Sequence, residues 1–414
     1  MADSVDSVNF TGSTDLARGT DRRRTGSAAR TGSAARTGTR RLSRRDLLAG
    51  AATAGAAALL AACASGGGST AGPSAAAGNA SQGATESFPI TIAHTYGSTT
   101  IAAEPTRIVA ISTVDADVVI SLGVVPIGMP AVTAGADGQE AYPWTTAGLE
   151  ALGAGWDTAA APALYATVHD VDADAVAALG PDLILGVHSG MSEDEYARLS
   201  AVAPTLAYPA DASAYEVSWE AVTVAVGRAL GRSAAAEALV NTTTDVLTTA
   251  RTLNPSLSGA AYAAVALDAG GPSITVFTEV DTRSQVLRQL GLAPAPAIQA
   301  VEGVAGAVSV DYPLSEAGQL DADLLWAQVD GDAAVEAVQA DDRLAEIPAV
   351  ADGTALFVAD EAAAMSLAAA SPLSLPWCCE NHVPDIVAAI DASRAMATAA
   401  ASASASATAS GSAR

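Results

Sequence analysis

The sequence predicts an α/β protein of two lobes with parallel-type sheets, bridged by a single long α-helix. Three observations predict it. Short apolar runs alternate with helical stretches on both sides of the chain's middle. A helical zone with few turn signals, over residues 216–254, separates the two alternations. The segment Ala178-Leu179-Gly180-Pro181-Asp182-Leu183-Ile184 is echoed by Gln319-Leu320-Asp321-Ala322-Asp323-Leu324-Leu325, each a helix end, a turn and a strand led by aspartate.

Taken in order, Ile90-Thr91-Ile92-Ala93 and Thr99-Thr100-Ile101 flank Tyr96-Gly97-Ser98 as a β-hairpin. Arg107-Ile108-Val109-Ala110-Ile111 is a compact apolar run suited to a buried parallel strand. A helix follows over Asp115 to Leu122, closed by Gly123, and then a short strand at Val125-Pro126-Ile127-Gly128. The rhythm repeats as a helix from Asp174 to Leu179, a strand at 182–186, a helix from Ser192 to Val202 and a strand at 205–208. The long helical zone carries Trp219, Val222, Val226 and Leu230, then Leu239 and Val246, at helical spacing. It is broken near Gly231-Arg232 and stopped by Asn254-Pro255. Beyond it come strands at 262–267 and 274–277, a helix from Ser284 to Leu290 stopped by Gly291, strands at 323–329 and 355–358, and a closing helix from Pro384 to Met396.

Composition removes several kinds of chemistry. The 414 residues carry a formal charge of −25, with 20 basic residues that are all arginine. Without lysine there is no Schiff base, no Ser–Lys dyad and no phosphate loop of the Gly-Lys-Ser/Thr type. The acidity disfavours nucleic acid, which selects a basic face. The charge is unevenly spread, with ten arginines and five acids up to Cys63, and ten arginines and 40 acids after it. A basic front on an acidic body is the pattern of a targeting segment on an exported protein.

That front end has the parts of an export signal. Arg44-Arg45 in Ser43-Arg44-Arg45-Asp46-Leu47-Leu48 resembles a twin-arginine motif. Ala49 to Ala62 is apolar but too short for a transmembrane helix, which needs roughly 20 residues. Leu60-Ala61-Ala62-Cys63 resembles a lipobox, which makes Cys63 the expected lipidation site. Residues 1–63 are therefore read as a leader and signal peptide, and the Gly/Ser/Ala-rich 64–87 as a flexible tether. The structured body is expected over 88–396, as a first lobe at 88–215, a bridging segment at 216–254 and a second lobe with closing helix at 255–396. A disordered low-complexity tail is expected at 397–414.

From Phe88 to Met396 the chain resembles the iron–siderophore substrate-binding proteins of bacterial ABC importers, a class III periplasmic-binding-protein fold. The carrying pieces are Glu104-Pro105-Thr106-Arg107-Ile108-Val109, Leu122-Gly123-Val124-Val125-Pro126-Ile127-Gly128 and Leu179-Gly180-Pro181-Asp182-Leu183-Ile184. They are followed by Leu199 to Thr205, Gly227-Arg228-Ala229-Leu230-Gly231-Arg232 and Ser371-Pro372-Leu373-Ser374-Leu375-Pro376-Trp377. Each piece is weak alone, and their order carries the resemblance. It implies Rossmann-like lobes with a ligand cleft between them. It also implies a monomeric, non-enzymatic solute receptor without a cofactor, lipid-anchored on the outer face of the cytoplasmic membrane. The receptor would hand a ferric siderophore to an ABC permease. Haem or cobalamin on the same fold, an exported surface-tethered enzyme and an adhesive lipoprotein are the competing readings.

Ligand sites in open α/β sheets lie past the carboxyl ends of the strands. A bulky ferric chelate with no open coordination site needs aromatic walls and hydrogen-bond donors rather than metal ligands. The expected ligand residues are Tyr142, Trp144, His188 and Tyr208 in the first lobe, and Arg283, Tyr312 and Gln328 in the second. Arg283 matches a position where the family's catecholate binders carry arginine, whereas Gly331 stands at another such position. A body poor in arginine points to a neutral or cationic chelate such as a hydroxamate. The resemblance also implies one acidic docking residue per lobe, assigned to Glu193 and Glu279, with Asp281 as a rival for the second.

Other signals are set aside. The run from Asp170 to Asp174 has calcium-loop spacing, but Ala175 and Pro181 stand where glycine and glutamate are required. His94, His169, His188 and His382 are scattered, and no metal site is expected. Cys378-Cys379 reads as two buried thiols, with a strained vicinal disulfide as the alternative.

Overall fold

In the computed structural model, which describes residues 86–166, 171–301 and 307–411, the chain opens with the expected hairpin. Strands β1 (Ile90–His94) and β2 (Gly97–Ile101) pair antiparallel, and alternation turns Ile90, Ile92 and Ile101 inward. The turn needs Gly97, whose φ is 120°. The leader, the twin arginines Arg44 and Arg45, Cys63, most of the tether and His169 lie outside the described residues.

The first lobe is built from β3 (Ile108–Ala110), α1 (Thr113–Ser121), β4 (Gly128–Pro130), α2 (Pro143–Ala151), β5 (Ala163–Tyr165), α3 (Ala173–Ala178), β6 (Leu183–Gly186), α4 (Glu193–Ser200) and β7 (Thr205–Ala207). Its strands form an all-parallel sheet in the order β5-β4-β3-β6-β7, with β3, β4, β6 and β7 wholly buried. Such strands read as unbroken apolar runs because helices cover both faces. The expected strand at 125–128 begins only at Gly128, since Pro126 has no N–H to offer a sheet. Asp172, from the run with calcium-like spacing, caps α3 by accepting from the N–H groups of Asp174 and Ala175.

The bridging segment is two helices, α5 (Trp219–Ala229) and α6 (Ser233–Leu253), separated at the expected break near Gly231-Arg232. Gly231 has φ 66°, the left-handed conformation that ends a helix. Helix α5 packs on the first lobe, and α6 alone is the long helix that carries the chain across. Its Ala236 joins the first lobe's core while Leu247 and Ala250 join that of the second.

The second lobe comprises β8 (Ala261–Ala266), β9 (Ser273–Phe277), α7 (Thr282–Gln289), β10 (Ala293–Pro294), α8 (Pro296–Val301), β11 (Ser309–Pro313), β12 (Leu324–Gln328), α9 (Asp332–Gln339), α10 (Pro348–Ala351), β13 (Leu356–Val358), α11 (Glu361–Ala368), α12 (Ser374–Asn381) and α13 (Val383–Gly411). Its sheet runs β11-β9-β8-β12-β13, with β10 also beside β8. The parallel-type sheet expected here is mixed, because β8–β9 and β9–β11 are antiparallel. Only the short turn 267–272 joins β8 to β9, and a parallel crossover needs a dozen or more residues. A second correction concerns the tail. The backbone of α13 continues to Gly411, well past Met396, since a run of alanine and serine has no helix breaker and alanine is the strongest helix former. Among the described residues, no helix is long and apolar enough to cross a membrane.

The echo between the halves has a structural cause. Asp182 accepts from the backbone N–H groups of Thr106 and Arg107 at 2.9 and 2.8 Å, pinning β6 to the start of β3. Asp323 accepts from the N–H of Ala261 at 2.9 Å, pinning β12 to the start of β8.

Gly227 has a packing reason inside α5. A Cβ there would lie 2.2 Å from the Ala236 Cβ on α6. Helix propensity alone would make Gly227→Ala stabilising by about 1 kcal/mol. The clash is the larger effect, so the variant is expected to lose about 1–3 kcal/mol in urea unfolding. A rise in its midpoint would refute this account of the α5–α6 contact.

Candidate ligand-binding cleft

The carboxyl ends of β3, β4 and β6 open on one cavity of about 540 Å³, which α7 and α11 of the second lobe complete. Residues 111–114 enter it from the β3–α1 turn, 130–134 from the loop after β4, and His188-Ser189 from the loop after β6. Asp281, Thr282 and Arg283 come from the start of α7, and Met365, Ala368 and Ala369 from the end of α11. This is the place that open α/β sheets reserve for ligands.

His188 is positioned by a buried carboxylate. Asp115, on α1, accepts from the N–H groups of Val187 and His188 at 3.1 and 3.2 Å and from the Ser112 hydroxyl at 2.5 Å. Burial raises the Asp115 carboxyl to about 6, against the opposing pull of those hydrogen bonds. The His188 side chain is only 8% exposed, and its Nε2 has no hydrogen-bond partner. Burial brings its imidazole down to about 4, so it is neutral at physiological pH.

Across the cavity, Arg283 Nη1 pairs with Asp281 Oδ2 at 2.9 Å, and its guanidinium lies over the Phe277 ring, 4.1 Å from the centroid. Burial pushes the Asp281 carboxyl up, and the neighbouring arginine opposes this. Asp281, the rival docking residue, is thus committed to the cavity, where it also caps α7 through the Arg283 N–H at 2.8 Å. Arg283 Nε is buried and unpartnered. The arrangement leaves two buried nitrogens, His188 Nε2 and Arg283 Nε, without protein partners at one cavity, while the arginine's charge is balanced locally. Unpartnered buried atoms are uncommon, and the described residues hold four others away from the cavity, on Glu216, Arg232, Gln328 and His382.

Of the other expected ligand residues, Tyr142 lines the cavity, stacked on Trp144 with centroids 4.6 Å apart. Trp144 itself is 3% exposed behind Tyr142 and does not line the cavity, because its indole N–H is drawn to Asp117 at 2.8 Å. Tyr208 lies instead against the hairpin, its hydroxyl 3.1 Å from that of Tyr96. Tyr312 is buried on β11 in the second lobe's core, and Gln328 ends β12 outside the lining. The strand-end rule selects residues by sequence position, and alternation along a strand then turns some of them into the core. Tyr215 was not among the expected residues. It lines the cavity 57% exposed, with φ 63° and its ring edge-on to His188, centroids 6.0 Å apart. Gly190 makes room for it, since a Cβ there would lie 2.5 Å from the tyrosine ring. An exposed tyrosine in a left-handed conformation carries no local sequence signal.

Glu193 is exposed at the first position of α4, whose capping box joins Ser192 and Glu195. Glu279 is exposed before α7 and meets Arg288 at 3.5 Å. Cys378 and Cys379 are free thiols, raised by burial to about 12 and about 11. His382 is a core residue, its Nε2 2.9 Å from the Trp326 indole nitrogen.

The profile of the periplasmic binding protein family matches residues 108–361, and the chain belongs to that family. Its fold is shared with solved structures of solute-binding proteins. Streptococcus pneumoniae PiaA, solved in complex with ferrichrome, is 24% identical with a TM-score of 0.65, over 73% of this chain and 99% of PiaA. A periplasmic solute-binding protein from Mycobacterium smegmatis is 25% identical with a TM-score of 0.60, over 73% of this chain and 98% of that one. Staphylococcus aureus FhuD2 with bound ferrioxamine B is 14% identical with a TM-score of 0.51, over 69% and 100%. No curated protein matches the chain.

The burial of His188 sets a pH dependence. A histidine whose folded value falls from 6.5 to about 4 adds stability that is complete above 6.5 and is lost as pH falls towards 4. Asp115, raised to about 6, works in the opposite direction over the same range. His188→Gln removes only the first effect. Relative to the parent, the variant is expected to gain about 2 kcal/mol in unfolding free energy between pH 7.5 and pH 5. A difference independent of pH would show that His188 titrates alike in the folded and unfolded chains.

Proposed function

We propose that the chain is an extracytoplasmic receptor, lipid-anchored through Cys63, that binds a ferric siderophore in the cleft and delivers it to an ABC permease. The observation that carries this reading is one cavity of about 540 Å³ past the carboxyl ends of the first lobe's strands, closed by α7 and α11 and lined by Tyr142, His188, Tyr215 and Arg283. A chelate wrapped around its iron offers oxygen acceptors and a large, partly apolar outer surface, and Tyr142, Tyr215 and Met365 supply the matching walls. The bound ligands named for PiaA and FhuD2, ferrichrome and ferrioxamine B, support the same substrate class.

The charge balance narrows the chelate. The Arg283 guanidinium is already paired with Asp281, and His188 is neutral. No net positive charge is left on these groups to meet a highly anionic tris-catecholate, so a neutral or cationic hydroxamate chelate fits better. Quenching of intrinsic fluorescence is expected to give a Kd of about 1 μM or tighter with ferrichrome or ferrioxamine B, and at least about tenfold weaker binding with ferric enterobactin. Binding of the catecholate alone would overturn the hydroxamate preference. Binding of none of the three, with haem or cobalamin bound instead, would overturn the siderophore reading.

Exposed acids on the two lobes, Glu193 and Glu279, are the proposed contacts to basic residues of the permease. Replacing both with arginine is expected to leave the Kd for the chelate within about twofold and to cut iron uptake by at least about tenfold, since exposed charges govern encounter with a partner more than affinity in a cavity they do not line. Uptake at the parental rate would remove them from the docking surface.

A further inference from the structure

Behind the cavity wall, one buried carboxylate joins three elements that each supply part of that wall. Asp117, on α1, is 1% exposed. Its Oδ2 accepts from Trp144 Nε1 and from Ser371 Oγ, both at 2.8 Å, and its Oδ1 accepts from Thr145 Oγ1 at 2.6 Å. Trp144 is stacked on Tyr142, which faces the cavity. Ser371 follows closely on α11, whose Met365 and Ala368 form another wall together with Ala369. The same Ser371 hydroxyl oxygen accepts from the N–H groups of Leu373 and Ser374 at 3.2 and 3.0 Å, fixing the entry to α12. Helix α1 itself starts at Thr113, inside the cavity lining.

The donors recorded on this carboxylate are an indole and two hydroxyls, with no cation among them. Enclosing an ionised group this way is costly, and an apolar side chain of similar size would pack there with less penalty. What an apolar side chain cannot do is hold two donors of α2 and one from the turn after α11 at fixed distances from α1.

We propose that Asp117 is a positioning residue for the ligand cavity. By gathering Trp144, Thr145 and Ser371 on one carboxylate, it sets the Tyr142 wall against the wall formed by the end of α11, and so fixes the width of the cleft. The inference rests on the reading of the cleft as a ligand site. It also gives Trp144 a role in binding through Tyr142 rather than through contact.

The test uses ferrichrome as the probe, together with near-ultraviolet circular dichroism of the unliganded chain, in which the Trp144 contacts with Tyr142 and Trp377 are read as the difference between variant and parent. In Asp117→Asn the amide oxygen can keep the Trp144 and Ser371 bonds while its NH₂ donates to Thr145 Oγ1. That variant is expected to keep the aromatic spectrum and a Kd within about twofold of the parent. Asp117→Ala is expected to lose the stacking signal and to weaken ferrichrome binding by at least about tenfold, while still unfolding cooperatively. Ser371→Ala cuts one arm only, and is expected to keep the aromatic signal with binding weakened about threefold. An Asp117→Ala protein with the parental spectrum and a Kd within about twofold would overturn the proposal. Should Asp117→Ala fail to fold, Ser371→Ala decides, an unchanged Kd overturning the tie and a weakened one supporting it. If the parent itself does not bind ferrichrome, which by itself leaves the other chelates open, the spectra of the alanine and asparagine variants still decide the positioning role.

Discussion

At the start of β6, Asp182 accepts hydrogen bonds from the backbone of the residues that lead into β3; at the start of β12, Asp323 does the same for β8. Each carboxylate fixes the register of a central pair of parallel strands, Ile108 beside Leu183 and Tyr262 beside Leu324. In a parallel pair register alone decides which loops emerge together, because both strands end on the same side. Pinning the amino ends therefore sets the carboxyl ends. In the first lobe these deliver Thr113 and His188 to one cavity, and their arrangement follows from strand register.

Two kinds of buried polar group then divide the work. Asp115 and Asp117 sit two residues apart on α1 and are satisfied within the fold, one by the backbone of the His188 loop and the other by side chains of α2 and the α11–α12 turn. They are structural in chemistry but act at the cavity's edge. His188 and Arg283 line the cavity, and each keeps one buried nitrogen, Nε2 and Nε, without a protein partner. Satisfied groups behind a wall hold that wall in place, as a preorganised binding site requires, since the ordering cost is met during folding rather than during binding. The long helix α6 adds to this by joining the cores of both lobes, which restricts how far the lobes can part.

Much of the architecture was legible because it is local. The apolar runs of β3 and β6, the glycine stop after α1 and the break at Gly231-Arg232 each report a backbone preference confined to a few residues. The mixed character of the second sheet was less visible, since antiparallel pairing of β8 and β9 follows from a turn's brevity rather than from the strands' composition. At the site, strand-end position selected Tyr142, His188 and Arg283, which the fold places along one cavity. The same rule also selected Tyr208, Tyr312 and Gln328, which other packing turned away.

The amino-acid sequence by itself determined the two-lobed α/β plan, the helix between the lobes and the acidic body behind a basic front, because these depend on periodicity, turn residues and charge that are written along the chain. Only the tertiary structure decided that Trp144 stands behind Tyr142, that Tyr215 leans over Gly190 at the cavity, and that Arg283 spends its charge on Asp281. It alone brought Ser371 to Asp117 across 254 positions of chain. Periodicity states that a side chain is buried, but the surface it is buried against depends on strand order and helix crossing, which no local stretch of residues encodes.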